Sequence, residues 1–264
     1  MAVRSSRPNI SISTSSSLPW RFDAYLKLLA ETGASGIDLD LTTWIGRATL
    51  RNRIALNHGE VRSVWLSGPD LDSWNALPTE PAEVPTALNV VIRLAAESME
   101  DDLAIVRHGH ELKRACPWLQ GMTIAVPASA LDGGRTHLTR LRLLCRFLEE
   151  WDLDLGLELN RQTDTRWEAE AAILACGDRL KTVRFSAPLH QVVDQKGDVL
   201  TRSLAALAEI EFTGSLSLAP TVPLWLSWHR PSVVRDLEAN RDAAIRVFDE
   251  RKLALRESYQ FHRI

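Results

Sequence analysis

Residues 152–160 read DLDLGLELN, an alternation typical of a β-strand because successive strand side chains point to opposite faces. One face carries only leucines, and the other carries Glu158 among polar and glycine residues. A strand buried on both faces is usually apolar throughout, whereas this one places an ionisable carboxyl in a leucine-rich run. The fold must therefore provide a polar or charged partner for Glu158.

Similar short runs recur along the whole chain and raise the number of expected strands to eight. The other seven are NISIST (9–14), GIDLDL (36–41), VRSVWLS (61–67), NVVIRLA (89–95), MTIAVP (122–127), KTVRFSA (181–187) and GSLSLAP (214–220). Most are separated by segments with helical periodicity, such as WRFDAYLKLLAETG (20–33), MEDDLAIVRHGHELKRA (99–115), LTRLRLLCRFLEEW (138–151) and WEAEAAILACG (167–177).

Alternating strands and helices imply a parallel sheet. Eight such units in about 250 residues match a (β/α)8 TIM barrel, whereas a doubly wound open sheet usually has fewer strands at this length. The sequence therefore predicts an α/β protein with a single barrel domain over residues 1–264. The segment 68–88 is rich in proline and aspartate and contains no convincing long helix, so we expect a surface loop there.

The alternation within each run predicts which side chains enter the barrel, because one strand face meets the helices and the other meets the interior. The apolar face is expected to meet the helices. The opposite, inward set is unusually polar for a barrel interior: Ser11, Ser13, Asp38, Asp40, Ser63, Trp65, Ser67, Arg93, Thr123, Glu158, Arg184, Ser186, Ser215 and Ser217.

Arg93 and Arg184 are the inward cations available to Glu158. A buried unpaired carboxylate is costly, so we expect at least one of these arginines to form a charge-assisted pair with Glu158. Two interpretations remain open at this point: a closed ion network without chemistry, or a ligand site near the carboxyl ends of the strands, where barrel enzymes have their active sites.

Composition limits the classes of partner. The 264-residue sequence is 45% apolar and 25% charged, with a formal net charge of −3 and no concentrated basic patch. We therefore expect a small-molecule substrate and neither nucleic acid nor membrane as a partner. Three widely spaced cysteines form no CxxC pair, and the first twenty residues lack the apolar segment of a signal peptide, so a cytoplasmic protein with buried thiols is expected.

The sequence resembles the xylose isomerase-like barrel family, which includes sugar phosphate isomerases and epimerases. The resemblance covers most of the chain and lies in ISISTSSSLPWRFDAYLKLLAETGASGIDLDL (10–41), VRSVWLSGP (61–69), DRLKTVRFSAP (178–188), KGDV (196–199) and LAALAEIEFTGSLSLAP (204–220). It implies a barrel acting on carbohydrate-like substrates. Members of the family generally hold a divalent metal through glutamate, aspartate and histidine at the ends of strands five to eight.

This chain departs from that metal pattern. The expected strand-five glutamate falls near Val126 or Pro127, the histidine after strand six near Arg161, the strand-seven histidine on Arg184, and the strand-eight glutamate on Ala219. Only Glu158 retains a possible ligand, and arginine does not coordinate divalent cations. We therefore predict no metal and no other cofactor. Asp38 keeps the acidic position on strand two, and Trp65 stands where a strand-three histidine is common.

Two histidines follow the last strands, at His190 and His229, and are candidates for proton transfer. His108 and His110 lie two apart in a predicted helix, so they do not form a helical metal clamp. No GxSxG, HExxH, P-loop or GxGxxG pattern is present.

Two functions remain as hypotheses. In the first, the protein is a metal-independent isomerase, epimerase or lyase acting on a small polyhydroxylated or anionic substrate. Its candidate catalytic residues are Glu158, Asp38, Arg184 and Arg93, and its candidate substrate-binding residues are Trp65, Asp40, Arg161, His190, Ser186 and His229. In the second, the barrel is a noncatalytic module that binds a small molecule or a partner. An open cavity around Glu158 and the arginines would favour the first hypothesis, and a closed salt bridge the second.

Overall fold

Eight parallel strands close into one barrel in chain order, which confirms the predicted (β/α)8 architecture. A computed structural model describes residues 8–14, 18, 20–51, 60–69, 77, 88–94, 99–116, 119–127, 135–160, 166–188, 199–221, 227 and 229–261. The strands are β1 (Asn9–Ser13), β2 (Gly36–Asp40), β3 (Val61–Ser67), β4 (Leu88–Arg93), β5 (Leu119–Pro127), β6 (Asp154–Asn160), β7 (Leu180–Pro188) and β8 (Ser215–Thr221).

Seven α-helices lie within the described ranges and follow most of the strands. They are α1 (Phe22–Thr32), α2 (Trp44–Arg51), α3 (Met99–Ala115), α4 (Arg135–Glu150), α5 (Arg166–Cys176), α6 (Val199–Glu209) and α7 (Arg230–Phe261). Across these ranges, none of the helices combines the length and apolarity needed to span a bilayer.

The predicted helix ends at Gly33 and Gly177 are also found. Gly33 has φ +64°, and its N–H donates to the Leu29 carbonyl 3.0 Å away, so α1 ends with a left-handed glycine that satisfies an otherwise free carbonyl. Gly177 has φ +56° and follows α5. The predicted surface loop at 68–88 lies mostly outside the described residues.

The two strand faces separate as the alternation predicts. The outward aliphatic side chains, such as Ile37, Val64 and Leu157, belong to the large core that packs against the helices. Inside the barrel, Trp65, Val91 and Ala125 form a separate small apolar cluster. The sheet lies between the two clusters, so the odd or even position of a residue along its strand decides which cluster its side chain joins.

Candidate functional site

Four charged side chains meet inside the carboxyl half of the barrel. Asp40 ends β2, Arg93 ends β4, Glu158 lies in β6 and Arg184 lies beside it in β7. We call these four residues the ion network. All four come from the inward faces of their strands, as the alternation predicts.

The ion pairs link the network into a ring. One carboxylate oxygen of Asp40, Oδ2, lies 2.7 Å from Nη2 of Arg184 and 3.0 Å from Nη2 of Arg93. Glu158 places Oε2 2.6 Å from Nε of Arg93 and Oε1 3.7 Å from Nε of Arg184. These distances confirm the expected pairing of Glu158 with an inward arginine. Each guanidinium also contacts both carboxylates, so the two positive and two negative charges balance.

The ring has a sealed half and an accessible half. The side chains of Asp40 and Arg184, the inner pair, are 4% and 6% exposed. The side chains of Arg93 and Glu158, the outer pair, are 19% and 17% exposed. Water therefore reaches the outer pair, and a ligand entering from the carboxyl end of the barrel would meet Arg93 and Glu158 first.

Trp65 supports the network from within the barrel. The guanidinium carbons of Arg184 and Arg93 lie 4.9 Å and 5.8 Å from the centroid of its ring, which is a cation–π arrangement. The indole N–H donates to Ser63 Oγ at 3.0 Å and thereby fixes the ring plane. Trp65 has no exposed surface. This burial argues against the direct substrate contact expected from the sequence, because the neighbouring side chains leave none of the ring accessible.

Arg184 has more hydrogen-bond donors than partners. Its Nη1 and Nε atoms are buried and make no hydrogen bond with good geometry to any described residue. Its position over the Trp65 ring offers a partial explanation, since an aromatic face attracts a guanidinium that lacks a full set of acceptors. The ion pair to Asp40 and this stacking hold Arg184 in place.

Asp40 also accepts hydrogen bonds from the loop that follows β2. Its Oδ1 receives the backbone N–H of Thr42 at 3.0 Å and the Thr42 hydroxyl at 2.6 Å. Burial alone would raise the pKa of Asp40, but the charges of Arg184 and Arg93 outweigh burial and hold that pKa well below its usual range. Sequence reasoning missed Thr42, although an aspartate followed two residues later by threonine is a common side-chain turn.

Asp38 lies two residues earlier on β2 and has different surroundings. The hydroxyls of Ser11 and Ser63 both donate to its carboxylate, the latter at 2.6 Å. Burial raises the pKa of Asp38, because the serine donors and the more distant charge of Arg184 compensate only in part. The residue is 1% exposed, so this candidate base is sealed below the ion network.

The remaining predicted substrate-binding residues do not join the network as a group. Ser186 is half-buried and follows Arg184 by two residues on β7, where it pairs with Ala219 of β8. His229 is exposed, and its Nδ1 lies 2.7 Å from Ser232 Oγ. Arg161 and His190 lie outside the described residues, so their predicted roles stay predictions.

The residues present do not fit the divalent metal that the sequence resemblance implies. Arg184 stands at one expected ligand position, and Ala219, at another, offers no ligand atom. Both oxygens of Glu158 face guanidinium groups. Among the described residues there is no group of three or more histidine, cysteine, aspartate or glutamate side chains able to hold a metal ion. Metal independence itself remains a prediction.

No protein-family model matches the sequence, and no curated protein matches it significantly. The barrel is similar to solved sugar epimerases. A structure of L-ribulose 3-epimerase aligns with a TM-score of 0.50 at 14% identity, covering 96% of this chain and 98% of that one. D-Psicose 3-epimerase from Clostridium cellulolyticum H10, solved with D-tagatose, aligns with a TM-score of 0.46 at 14% identity, covering 91% and 99%. At this identity, the likeness to the ribulose epimerase shows the fold.

Proposed function

We propose that this protein is a carbohydrate isomerase or epimerase-like enzyme that acts on a small polyhydroxylated substrate without a divalent metal, with residues 1–264 forming one domain. The observation that carries the proposal is the half-open ion network: its inner pair is sealed, and its outer pair reaches solvent at the carboxyl end of the barrel. The epimerase fold of the ribulose enzyme supports it.

The outer pair has the chemistry that proton transfer next to a carbonyl requires. Such a reaction needs a base for the carbon-bound proton and a donor for the developing oxyanion. In the proposal, Glu158 is the base, and Arg93 donates N–H groups to the carbonyl oxygen. Asp38 and Asp40 are both sealed, so Glu158 is the most exposed of these three inward carboxylates.

The inner pair and Trp65 then have a positioning role. Arg184 and Trp65 fix the inner edge of the network, so that Arg93 and Glu158 present their polar atoms with little freedom. The charge balance also bears on the substrate. Because two guanidinium groups face two carboxylates, an anionic substrate gains little net attraction here, while hydroxyl groups can both donate to Glu158 and accept from Arg93.

Proton exchange tests the proposal directly. We would incubate the EDTA-treated protein in D2O with a panel of ketoses, aldoses, sugar acids and sugar phosphates, and follow deuterium incorporation next to the carbonyl by NMR. We expect exchange on at least one sugar without added metal, and a loss of about 100-fold or more in Glu158→Gln. Glu31→Gln, which alters an exposed ion pair with Arg230, is the matched control and should keep full activity.

Two results would contradict the proposal. Exchange that is equally fast in Glu158→Gln would exclude Glu158 as the base. Exchange that appears only after Mn²⁺ or Mg²⁺ is added would leave the isomerase chemistry standing and overturn its metal independence.

The second candidate is a noncatalytic small-molecule-binding barrel. The observation that favours it is the mutual pairing of all four network charges, which is also what a purely structural ion network would show. This candidate predicts a ligand-induced rise in melting temperature with no deuterium incorporation from any member of the panel. Exchange at any rate above the uncatalysed reaction would exclude it.

A further inference from the structure

Two buried thiols meet on the outer layer of the barrel, away from the ion network. Cys145 lies in α4, and Cys176 is the last residue of α5, the next helix around the barrel. The side chains are 9% and 3% exposed, both thiols are free, and they hydrogen-bond to each other. Strand β6 lies between the two cysteines in the sequence, so no short sequence motif indicates the pair.

Cys145 is one of the residues that line a cleft of about 390 Å³. The cleft opens at the amino ends of β6 and β7, opposite the end that carries the ion network. Its wall is formed by the end of α4, the start of β6 and the residues just before β7, including Glu149, Leu153, Asp178 and Arg179. A small polar reagent in this cleft would therefore lie next to Cys145.

Arg179 supplies a positive charge at this cleft. Its Nη1 donates to the backbone carbonyl of Cys145 at 3.1 Å, and its Nη2 pairs with Glu149 at 2.6 Å. The hydrogen bond from the Cys176 thiol, helped by the charge of Arg179, lowers the pKa of Cys145 in spite of its burial. The same hydrogen bond, with burial, raises the pKa of Cys176. The two thiols also differ in position, because Cys145 is among the residues that line the cleft and Cys176 is not, so Cys145 is the thiol placed to react first.

We infer that Cys145 and Cys176 form an oxidisable dithiol site, in which a small hydroperoxide entering the cleft converts the pair to a disulfide. The Cys145 thiolate attacks one peroxide oxygen, the O–O bond breaks, and hydroxide leaves and takes up a proton to give water. Cys176 then attacks the sulfur of the Cys145 sulfenic acid, the S–O bond breaks, and a second water leaves with the Cys176 proton. The two thiols lose two electrons together, and hydrogen peroxide is reduced to two waters.

Such a cross-link would join α4 to α5 across β6, the strand that carries Glu158. The closed loop spans residues 145–176, so the oxidised form should resist unfolding more than the reduced form. The disulfide would thus restrain residues 145–176, which include β6, without contacting the ion network itself.

Peptide mapping under non-reducing conditions tests the inference. We would treat the native protein with a small molar excess of hydrogen peroxide, block remaining thiols with iodoacetamide, and digest. We expect one linked pair of peptides, carrying Cys145 and Cys176, with Cys116 still alkylated, and a rise of about 5 °C in melting temperature that dithiothreitol reverses. Cys116→Ser is the matched control and should form the same link at the same rate.

The variants of the pair separate the two roles. Cys176→Ser should trap a sulfenic acid on Cys145, detected with dimedone, whereas Cys145→Ser should leave Cys176 unmodified. Arg179→Gln should slow disulfide formation several-fold and leave the fold intact, because Arg179 is at the surface. The inference is overturned if peroxide leaves all three thiols free, or if Cys116 oxidises as fast as Cys145. It is also overturned if the free thiol of Cys176 disappears at the same rate in Cys145→Ser and in the wild type.

Discussion

Asp38 and Asp40 are two residues apart on the same strand face, and both are buried, yet their pKa values shift in opposite directions. Asp38 is surrounded by serine hydroxyls, and its pKa is raised. Asp40 is held by two guanidinium groups, and its pKa is lowered. Burial alone therefore does not determine the direction in which the pKa of a barrel carboxyl shifts. The charges that the neighbouring strands place beside the carboxyl decide whether the effect of burial is outweighed.

This difference divides the barrel interior into two layers. The hydroxyl layer, around Asp38, is closed, and the described residues place no cationic side chain in it. The guanidinium layer, above it, contains the ion network and opens to solvent at Arg93 and Glu158. Trp65 joins the two layers, since its ring contacts the guanidinium groups and its N–H reaches Ser63, a partner of Asp38.

Removing Arg184 should have the largest effect. We expect Arg184→Ala to lower the free energy of unfolding by about 3–5 kcal/mol, because it leaves Asp40 buried without its nearest cation. Urea denaturation followed by circular dichroism measures this change. Arg93→Ala is the comparison variant and should cost clearly less, since water reaches the outer pair. Equal losses of unfolding free energy in the two variants would contradict the division of the ring into a sealed half and an accessible half.

The two aspartates should also give opposite pH dependence. The folded pKa of Asp40 lies below its unfolded value of about 3.9, so its ionisation stabilises the fold above that pH, and the contribution is lost as the pH falls through the folded pKa. The folded pKa of Asp38 lies above about 3.9, so its contribution is complete below that pH and is lost as the pH rises through the folded pKa.

Denaturation between about pH 3 and pH 8 checks these signs. We expect Asp40→Asn to be most destabilising, relative to wild type, at neutral pH and to become less destabilising as the pH falls below about 4. We expect Asp38→Asn to become more favourable relative to wild type as the pH rises above about 4. If both variants follow the same trend, the two layers do not differ electrostatically.

Glu158→Gln should have a smaller effect on stability. The outer pair is partly hydrated, so we expect a loss of about 1 kcal/mol in the free energy of unfolding, because the neutral amide still accepts a hydrogen bond. Thermal and urea denaturation measure this value beside the exchange assay. A loss as large as that of Arg184→Ala would show that Glu158 belongs to the sealed, structural half.

Trp65→Phe tests the link between the layers and should have an effect as small as that of Glu158→Gln, about 1 kcal/mol. Phenylalanine keeps an aromatic face for Arg184 but removes the N–H that donates to Ser63. A double-mutant cycle of Trp65→Phe, Ser63→Ala and the double variant isolates this hydrogen bond. Additive losses would mean that the indole N–H does not couple the layers.

The sequence alone determined the barrel and the direction of its side chains. Eight alternating runs and the helical segments between them predicted the architecture, and parity along each strand correctly placed Arg93, Glu158 and Arg184 inside. These features are local, because period-two alternation and helix ends such as Gly33 are encoded within a few residues.

Only the tertiary structure decided which groups meet. It made Asp40 a second carboxylate shared by both arginines, sealed Asp38 and Trp65, and brought Cys145 beside Cys176. The odd or even position of a residue along its strand determines which face its side chain occupies. It does not determine the height at which side chains from distant strands meet around a closed barrel. That height depends on strand stagger and on the closure of β8 against β1, which are properties of the whole sheet.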